Sequence, residues 1–371
     1  MSHLQHLRLD TFIRIFKDDM DDLIRALRGL DELNYIQCVR LPTSTDVALL
    51  LDALPPLKRI SFSACSLSGS LLGRLLLRSI DTLEYLAADG YYALADCFVL
   101  SDVQGRVWPR MRELEVGTSV HLAVIRAFPG LTRLSMASDP AYPADILWDQ
   151  SLMRNVEQLY YCMSGIPDVT RRGDAQRVVP HLCLNIALDP EADDPSNDFY
   201  AVMRCFSLRS LRSLCLEAWS SSAAFSAVLG TLPTLLEGCL SLCYFGLRGD
   251  EQQKVDPYHI ISSILSSTSK ARRLKFVNLD VKAIWTYSDS ATDILVRAHL
   301  TRVIPASFAD NENLHVLQIA DPGTAAYSWK RQQSVRGGEV GEAVAFATVH
   351  DTSGLPWSLS DIAVLIDAYD T

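Results

Sequence analysis

A short apolar pattern recurs along this chain and constrains its fold more than any other feature of the sequence. In LPPLKRISFSACSL, apolar residues lie at Leu57, Ile60 and Phe62, so the spacing is three residues and then two. A helix repeats its apolar positions near 3.6 and a strand at 2, so the pattern fits neither element alone. About twelve such triplets occur, at a mean period of roughly 28 residues. Such an array predicts a repeat architecture.

The triplets share an apolar residue at their first, fourth and sixth positions. They are Leu4/Leu7/Leu9, Leu33/Ile36/Cys38, Leu57/Ile60/Phe62, Leu83/Leu86/Ala88, Met111/Leu114/Val116, Leu131/Leu134/Met136, Val156/Leu159/Tyr161, Leu211/Leu214/Leu216, Leu242/Phe245/Leu247, Leu274/Val277/Leu279 and Leu314/Leu317/Ile319, with a weaker unit near Val179. One triplet is uninformative in a chain rich in leucine, whereas a regular array of them is typical of stacked repeats.

Each repeat is predicted to contain one strand and one crossing helix. The second half of a triplet alternates apolar and polar residues, which is typical of a strand with one buried face. Parallel strands need a long crossing connection, usually a helix. The gaps supply helical segments at residues 44–54, 68–80, 119–128, 196–206, 222–232 and 256–265. Strands stack about 4.8 Å apart and helices are about 10 Å wide, so we expect a curved α/β stack with its parallel strands on the concave face.

Composition and charge weigh against several classes of protein. The formal net charge is −10, which argues against a general nucleic-acid or anionic-membrane binder. No uninterrupted run of 18 apolar residues occurs, and no secretory signal is visible at the N-terminus. The nine cysteines lie mostly in apolar stretches without tight pairing. They predict buried, reduced thiols and a cytoplasmic or nuclear location.

The segments WPRMRELEV, FPGLTRLSM and LPPLKRISFSACSL resemble the degenerate leucine-rich repeats of F-box/LRR proteins, in the style of the large fungal families. The resemblance covers residues 4–320 and implies a leucine-rich-repeat solenoid, a horseshoe of about twelve irregular repeats. It also implies an intracellular scaffold for protein binding, which acts as the substrate-recognition subunit of a cullin-type ubiquitin ligase. The implied partners are a ligase adaptor and a substrate protein.

The sequence departs from that family at two points. The F-box, a helical module that docks the ligase adaptor, is not seen before Leu4. FIRIFKDDM, at residues 12–20, is similar to part of an F-box but lies inside the first repeat and lacks the Leu-Pro start. The family also places Asn or Cys after each strand to bond loop backbone groups, and here Cys65 alone matches. Ligase recruitment therefore stays open, and we expect irregular loops.

The array also predicts which side chains contact a partner. Residues that alternate with the inward apolar ones point to the opposite face of the sheet, and Tyr and Arg are enriched at interface hot spots. We predict a partner-binding surface on the concave face, formed by Tyr35, Arg59, Tyr85, Glu113, Arg133, Gln158, Tyr160 and Tyr244. The four tyrosines are expected to be exposed. The alternative is that they are ordinary strand residues, since Tyr favours strands.

Motifs for catalysis, cofactors and metals are absent from the sequence. It has no GxSxG, P-loop, HExxH or complete dinucleotide fingerprint. VRGGEVGEA, at 335–343, is predicted to be a loop, and the two thiols of CLSLC, at 239–243, lack further metal ligands nearby. DDMDD, at 18–22, fits the acidic first turn of a helix. We therefore predict a protein that is not an enzyme and binds no cofactor, nucleic acid or membrane.

The tail is predicted to differ from the rest of the chain. Residues 1–320 form the predicted solenoid, and residues 321–371 lack the triplet and should cap its last repeat, where an uncovered strand would expose unpaired backbone. LSDIAVLIDAYD, at 359–370, has helical spacing and could cover this end.

Two alternatives stay open from the sequence. One is a scaffold without a ligase connection, for instance a regulatory subunit of a small GTPase. The other is an enzyme on an α/β fold without repeats. A deep polar pocket would favour the enzyme, whereas a shallow curved face would favour binding.

Overall fold

The computed structural model divides the chain into two compact units, Met1–Glu157 and Gln158–Thr371. The residues that it describes are 4–10, 17–30, 33–40, 45–65, 67–89, 97–98, 102–116, 122–137, 154–163, 176–186, 195–218, 222–249, 257–281, 290–321, 325–336, 339–349 and 355–370. Within these ranges, no helix is long and apolar enough to cross a bilayer.

The first unit pairs its strands in chain order, and every pairing is parallel. Its strands are β1 (His6–Asp10), β2 (Tyr35–Val39), β3 (Arg59–Ser63), β4 (Tyr85–Asp89), β5 (Glu113–Val116) and β6 (Arg133–Ala137). Its helices are α1 (Lys17–Arg28), α2 (Thr45–Asp52), α3 (Gly69–Arg78) and α4 (Leu122–Arg126). The acidic DDMDD segment begins α1, as its composition predicts.

The second unit combines a parallel sheet with an antiparallel hairpin. Its strands are β7 (Gln158–Met163), β8 (His181–Ile186), β9 (Ser213–Ala218), β10 (Tyr244–Gly249), β11 (Phe276–Val281), β12 (Val316–Asp321), β13 (Ala325–Arg336) and β14 (Glu339–Val349). Its helices are α5 (Pro195–Met203), α6 (Ser222–Gly238), α7 (Pro257–Thr268), α8 (Ser290–Asp310) and α9 (Leu359–Asp370). Strands β7 to β12 are parallel, β13 is antiparallel to β12, and β14 to β13.

The apolar triplets align across the parallel strands. In the first unit the fourth positions of the triplets pair in register, and in the second unit the same holds. The paired residues are Leu7, Ile36, Ile60, Leu86, Leu114 and Leu134, and then Leu159, Leu182, Leu214, Phe245, Val277 and Leu317. The prediction of an α/β fold with parallel strands is confirmed, and the described strands of neither unit close into a barrel.

The helices lie where the sequence places them between strands. Each of the six predicted segments contains or overlaps one of α2 to α7. Helix α3 shows why: Ser68 caps it by accepting a hydrogen bond from the Leu71 N–H at 3.3 Å. Its Leu72 and Leu76, four residues apart, share the buried face. Helix α8 is not among the predicted segments, and it contains Pro305 in its interior.

The ends of β2 and β3 show a shared loop geometry. Arg40 and Ala64, the residues that follow these strands, have left-handed φ values of 52° and 51°. The Arg40 N–H donates to the Ser63 carbonyl at 2.8 Å, which joins the residue after β2 to the end of β3. The Cys65 thiol donates to the Cys38 carbonyl at 3.2 Å, so this thiol bonds the backbone of strand β2.

The cysteines are thiols, and nearly all lie inside the protein. All nine are free, and every one except Cys162 is buried. Burial raises the pKa of Cys97 to about 12, so this thiol stays protonated near neutral pH. The prediction that the cysteines are buried is confirmed for eight of the nine.

The C-terminal segment differs from its prediction in two ways. The predicted loop at 335–343 is wrong, because Arg336 pairs with Glu339 and the flanking residues belong to β13 and β14. Strand β13 covers the edge of β12, so the backbone there is already paired. Helix α9 therefore does not cover that end and instead lies over β8 and β9. The proposed division at residue 320 stays a prediction.

Candidate protein-binding faces of the two units

The first unit presents one sheet face that carries polar and aromatic residues, named face 1 here. Two rows of side chains form it. The first row is His6, Tyr35, Arg59, Tyr85, Glu113 and Arg133, and the second is Arg8, Gln37, Ser61, Ala87, Glu115 and Ser135. The burial pattern of β2 alternates along the strand, with Ile36 and Cys38 fully buried and their neighbours partly exposed. Face 1 therefore points away from the apolar core.

Arg59 lies between two tyrosines at the centre of this row. Its guanidinium carbon is 4.1 Å from the centroid of the Tyr85 ring and 5.9 Å from that of Tyr35. Both distances permit cation–π attraction. Tyr35 in turn contacts His6 edge to face, with 5.5 Å between the ring centroids. Arg59 is exposed, and its guanidinium has no hydrogen bond or ion pair to any residue that the structure describes.

Tyr85 is less accessible than predicted. It is 9% exposed because the guanidinium of Arg59 stacks on its ring. Its hydroxyl donates to Glu115 at 3.1 Å. Burial raises the pKa of Tyr85, and the charge of Glu115 raises it further. The hydroxyl therefore stays protonated and remains a donor. Tyr85 positions Arg59 and exposes little of its own surface to a partner.

The remaining predicted residues of the first unit lie at one end of the same row. Arg133 approaches Glu113 at 3.5 Å, and the two residues pair in register between β5 and β6. Both side chains are partly exposed. The structure thus brings five of the eight predicted partner-binding residues onto one face: Tyr35, Arg59, Tyr85, Glu113 and Arg133.

The corresponding face of the second unit, named face 2, is covered by the chain itself. Its first row is Gln158, His181, Ser213, Tyr244, Phe276 and Val316, and its second is Tyr160, Cys183, Cys215, Gly246, Asn278 and Gln318. Every residue of β9 is buried, on both faces of the sheet. Tyr244 is 0% exposed, so the prediction that it is exposed is wrong. Residues 355–370 cover it, as the following contacts show.

The backbone of the covering segment is hydrogen-bonded by face 2. The Leu355 N–H donates to Gln318 Oε1 at 2.8 Å, and Asn278 Nδ2 donates to the Leu355 carbonyl at 3.0 Å. The Tyr244 hydroxyl donates to the Pro356 carbonyl. Burial raises the pKa of Tyr244, so this hydroxyl stays protonated.

The helix of the segment packs on the same face. Ile362 and Ile366 are buried in a cluster with Cys183, Cys215 and Tyr244. Phe276 contacts Tyr369 edge to face, with 4.9 Å between the ring centroids. The apolar side chains of α9 thus cover Tyr244, which the sequence analysis assigned to a surface open to a partner.

Ion pairs hold the last turn of α9. Arg212 lies 2.9 Å from Asp367 and 2.7 Å from Asp370, and Lys275 lies 2.6 Å from Asp370. Hydrogen bonds from Lys275 and Arg212 lower the pKa of Asp370. Sequence inspection missed both basic residues, which immediately precede β9 and β11 and were not assigned to the face.

Gln158 and Tyr160 also bond to the chain's own residues. Ser360 Oγ lies 3.2 Å from Gln158 Oε1 and donates to it. The Tyr160 hydroxyl donates to Glu217 at 3.1 Å and accepts a hydrogen bond from Asn185 at 3.2 Å. Burial is the main cause that raises the pKa of Tyr160. Of the eight predicted residues, Gln158, Tyr160 and Tyr244 thus lie on a face that the protein itself occupies.

A cleft of about 560 Å³ lies on the helical side of the second unit, between α6 and α7. Five serines line it, together with one histidine, one proline, one leucine and one glycine: Ser226, Leu229, Gly230, Pro233, His259, Ser262, Ser263, Ser266 and Ser267. The Ser267 hydroxyl donates to the Ser263 carbonyl of its own helix at 2.6 Å. This intrahelical bond is typical of serine in a helix and is not the bond of a nucleophile to a base.

The described residues contain no group of three or more His, Cys, Asp or Glu side chains that could hold a metal ion.

Comparison of the sequence with models of protein families finds no matching family, and comparison with characterised proteins finds no significant match.

Proposed function

We propose that this chain is a leucine-rich-repeat solenoid that serves as a protein-interaction scaffold and holds its partner on face 1. Aligned parallel strands with helices between them support this reading. Strands about 4.8 Å apart, joined by helices about 10 Å wide, favour a stack that curves toward the strands. Such a stack offers a broad concave surface for a protein partner.

The proposal rests on one observation, the exposed guanidinium of Arg59 that stacks on Tyr85. A second arginine, Arg248, also stacks on an aromatic ring, at 4.1 Å from the centroid of Trp357. Arg248 is neutralised by Glu217 at 3.4 Å and Asp280 at 3.1 Å. Arg59 has the same aromatic support without a carboxylate in the described part of the chain. Its ordered, exposed guanidinium is therefore available to a carboxylate or carbonyl group of a partner.

The neighbouring charges define the kind of partner that fits. Lys58 immediately precedes Arg59 and is also exposed, so the start of β3 carries two cations. Arginine with flanking tyrosines is the composition of an interface hot spot. We infer that the partner presents an acidic segment to this part of face 1.

The role as a substrate-recognition subunit of a ubiquitin ligase is part of this proposal and follows from the resemblance to F-box/LRR proteins. This role predicts that the cullin adaptor co-purifies with the chain when the chain is isolated from its native cells. Consistent recovery of another stable partner without the adaptor would remove the ligase role. The binding role of face 1 would then remain, as a scaffold or regulatory subunit.

Replacing Arg59 by Glu should remove binding of the partner without unfolding the protein. Hot-spot arginines typically contribute about 2 kcal/mol or more, so we expect a loss of roughly 30-fold or more in affinity. The measurement is quantitative recovery of bound proteins from native extract, followed by titration of the purified partner.

The matched control is Arg110→Glu, which makes the same charge change. Arg110 is exposed in a turn outside the strands of the first unit. Proteins that bind face 1 should be recovered with the wild-type chain and with the control, and lost with Arg59→Glu. Equal recovery by all three chains would exclude Arg59 as the centre of the binding surface.

A further inference from the structure

Side chains of face 2 form three hydrogen bonds to the backbone of residues 355–356. Gln318 accepts from the Leu355 N–H and Asn278 donates to the Leu355 carbonyl, while Tyr244 donates to the Pro356 carbonyl. Two carboxamides therefore bind both hydrogen-bonding groups of one main-chain residue. Main-chain recognition of this kind lets a protein bind an extended peptide, while pockets for its side chains provide specificity.

Face 2 also provides a site for one aromatic side chain. Trp357 lies over Gly246, where an added Cβ would be 3.0 Å from Trp357 Cζ3. The guanidinium of Arg248 stacks on the same indole at 4.1 Å. A glycine inside a strand commonly marks the close approach of another group. The site therefore accommodates an aromatic residue two positions after the residue whose backbone is bound.

Charge complementarity fixes the direction of the bound helix. The carboxylates of Asp367 and Asp370, in the last turn of α9, meet Arg212 and Lys275 at the starts of two strands. Carboxylates are unfavourable at a helix C-terminus, where the helix dipole is negative. The two cations of the sheet compensate for this, so the acidic last turn is matched to face 2 and not to the helix itself.

The covering segment is attached by few buried side chains. Ile362 and Ile366 are the buried residues of α9, whereas Val364 is 69% exposed. A helix of 12 residues is marginal without tertiary contacts. Asn278 Oδ1 is buried and has no hydrogen-bond partner in the described part of the protein. The present occupant thus leaves one acceptor of the site unsatisfied.

We propose that face 2 is a peptide-binding site, occupied in this structure by the chain's own residues 355–370, which a protein partner displaces. The external ligand has the same layout: an extended Leu-Pro-aromatic stretch, followed by an amphipathic helix with carboxylates in its last turn. The C-terminal segment then acts as an internal competitor that sets the threshold for binding. This surface differs from face 1, so the two proposals stand or fall separately.

The test uses the full-length chain and a fluorescein-labelled peptide, LPWSLSDIAVLIDAYD, which has the sequence of residues 355–370. Replacing Ile362 and Ile366 by Asp in the chain should detach α9 and free face 2. We expect the labelled peptide to bind this variant at least tenfold more tightly than the wild-type chain, because the internal segment no longer competes. Fluorescence anisotropy measures both affinities.

Three controls separate this site from non-specific binding. Val364→Asp adds a charge to the exposed side of α9 and should leave peptide binding at the wild-type level. Adding Gln318→Ala to the detached variant should weaken peptide binding roughly tenfold, since one backbone hydrogen bond is lost. A peptide with Lys in place of the two aspartates of its last turn should bind more weakly still, because it faces Arg212 and Lys275 with like charges.

Three results would overturn the proposal. One is equal peptide affinity of the detached variant and the wild-type chain. Another comes from hydrogen exchange of the unmodified chain. If the amides of α9 exchange as slowly as those of β10, the segment opens only when the whole unit unfolds, and it is then a structural cap. Global unfolding of the Ile362→Asp, Ile366→Asp variant would count in the same way. Faster exchange of α9 than of β10 supports a displaceable segment.

Discussion

Replacing Trp108 by Ala is expected to destabilise the first unit by about 4 kcal/mol. Trp108 is 0% exposed, and its ring packs edge to face against Phe98 and Phe128, with centroids 5.5 Å and 5.9 Å away. Its Nε1–H donates to the Leu76 carbonyl at the end of α3, at 3.0 Å. Truncation therefore leaves a cavity and an unsatisfied buried carbonyl together.

Urea unfolding followed by far-UV circular dichroism measures this loss, and hydrogen exchange of β4 to β6 assigns it to the first unit. Trp108→Phe is the matched control, because it keeps most of the ring volume and removes the hydrogen bond. It should cost about 1–3 kcal/mol. A loss below 1 kcal/mol for Trp108→Ala would mean that this aromatic cluster does not hold α3 against the next repeat.

Acidification should destabilise the second unit through His181 by about 3 kcal/mol. His181 is 6% exposed on face 2, and its Nδ1 lies 3.0 Å from Ser213 Oγ. Burial is the main cause that lowers the pKa of His181 from 6.5 to about 4; the charge of Arg212 contributes to this shift, and the charge of Asp367 opposes it. The unfolded chain therefore binds a proton at higher pH than the folded protein. The stabilising contribution is complete above pH 6.5 and is lost as the pH falls toward 4.

His181→Gln keeps a side chain that can bond to Ser213 and removes the titration. The free energy of unfolding should fall less for this variant than for the wild type between pH 7.5 and 4.5. The difference between the two slopes isolates His181, because the carboxylates titrate alike in both chains. Parallel pH profiles would show that His181 is solvated, or charged, in the folded state.

The strands and their register follow from the sequence because one physical constraint acts on every repeat. A strand that buries alternate residues cannot shift by one position without exposing them, so Ile36, Ile60 and Leu86 must align. The crossing helices follow from the same constraint, since parallel neighbours require a long connection. Tyr35, Arg59 and Tyr85 thus fall on one face by alternation alone.

The tail was predicted least well, and for α9 the reason is that its partners on face 2 lie far away in the sequence. VRGGEVGEA resembles a loop, yet it contributes the paired ends of β13 and β14. The edge of β12 is satisfied by this hairpin, which leaves α9 free to pack elsewhere. Its buried side chains Ile362 and Ile366 pack in one cluster with Tyr244 and Phe276.

Two signals in the sequence did point toward a covered face in the second unit. The strand YFGLRG is apolar at successive positions, which is typical of a strand buried on both sides. It also contains Gly246 in its interior, a residue that marks close approach of another group. By contrast, YIQCV in β2 alternates, and its polar side chains remain partly exposed.

The sequence by itself determined the strand positions, their parallel order and the side of each strand that is buried in the core, because these depend on local spacing repeated along the chain. The tertiary structure decided what lies on the opposite side. Face 1 keeps Arg59 exposed, whereas face 2 is occupied by residues 355–370. That difference depends on contacts such as Asn278 with Leu355, between residues 77 positions apart, and no local pattern encodes a contact at that separation.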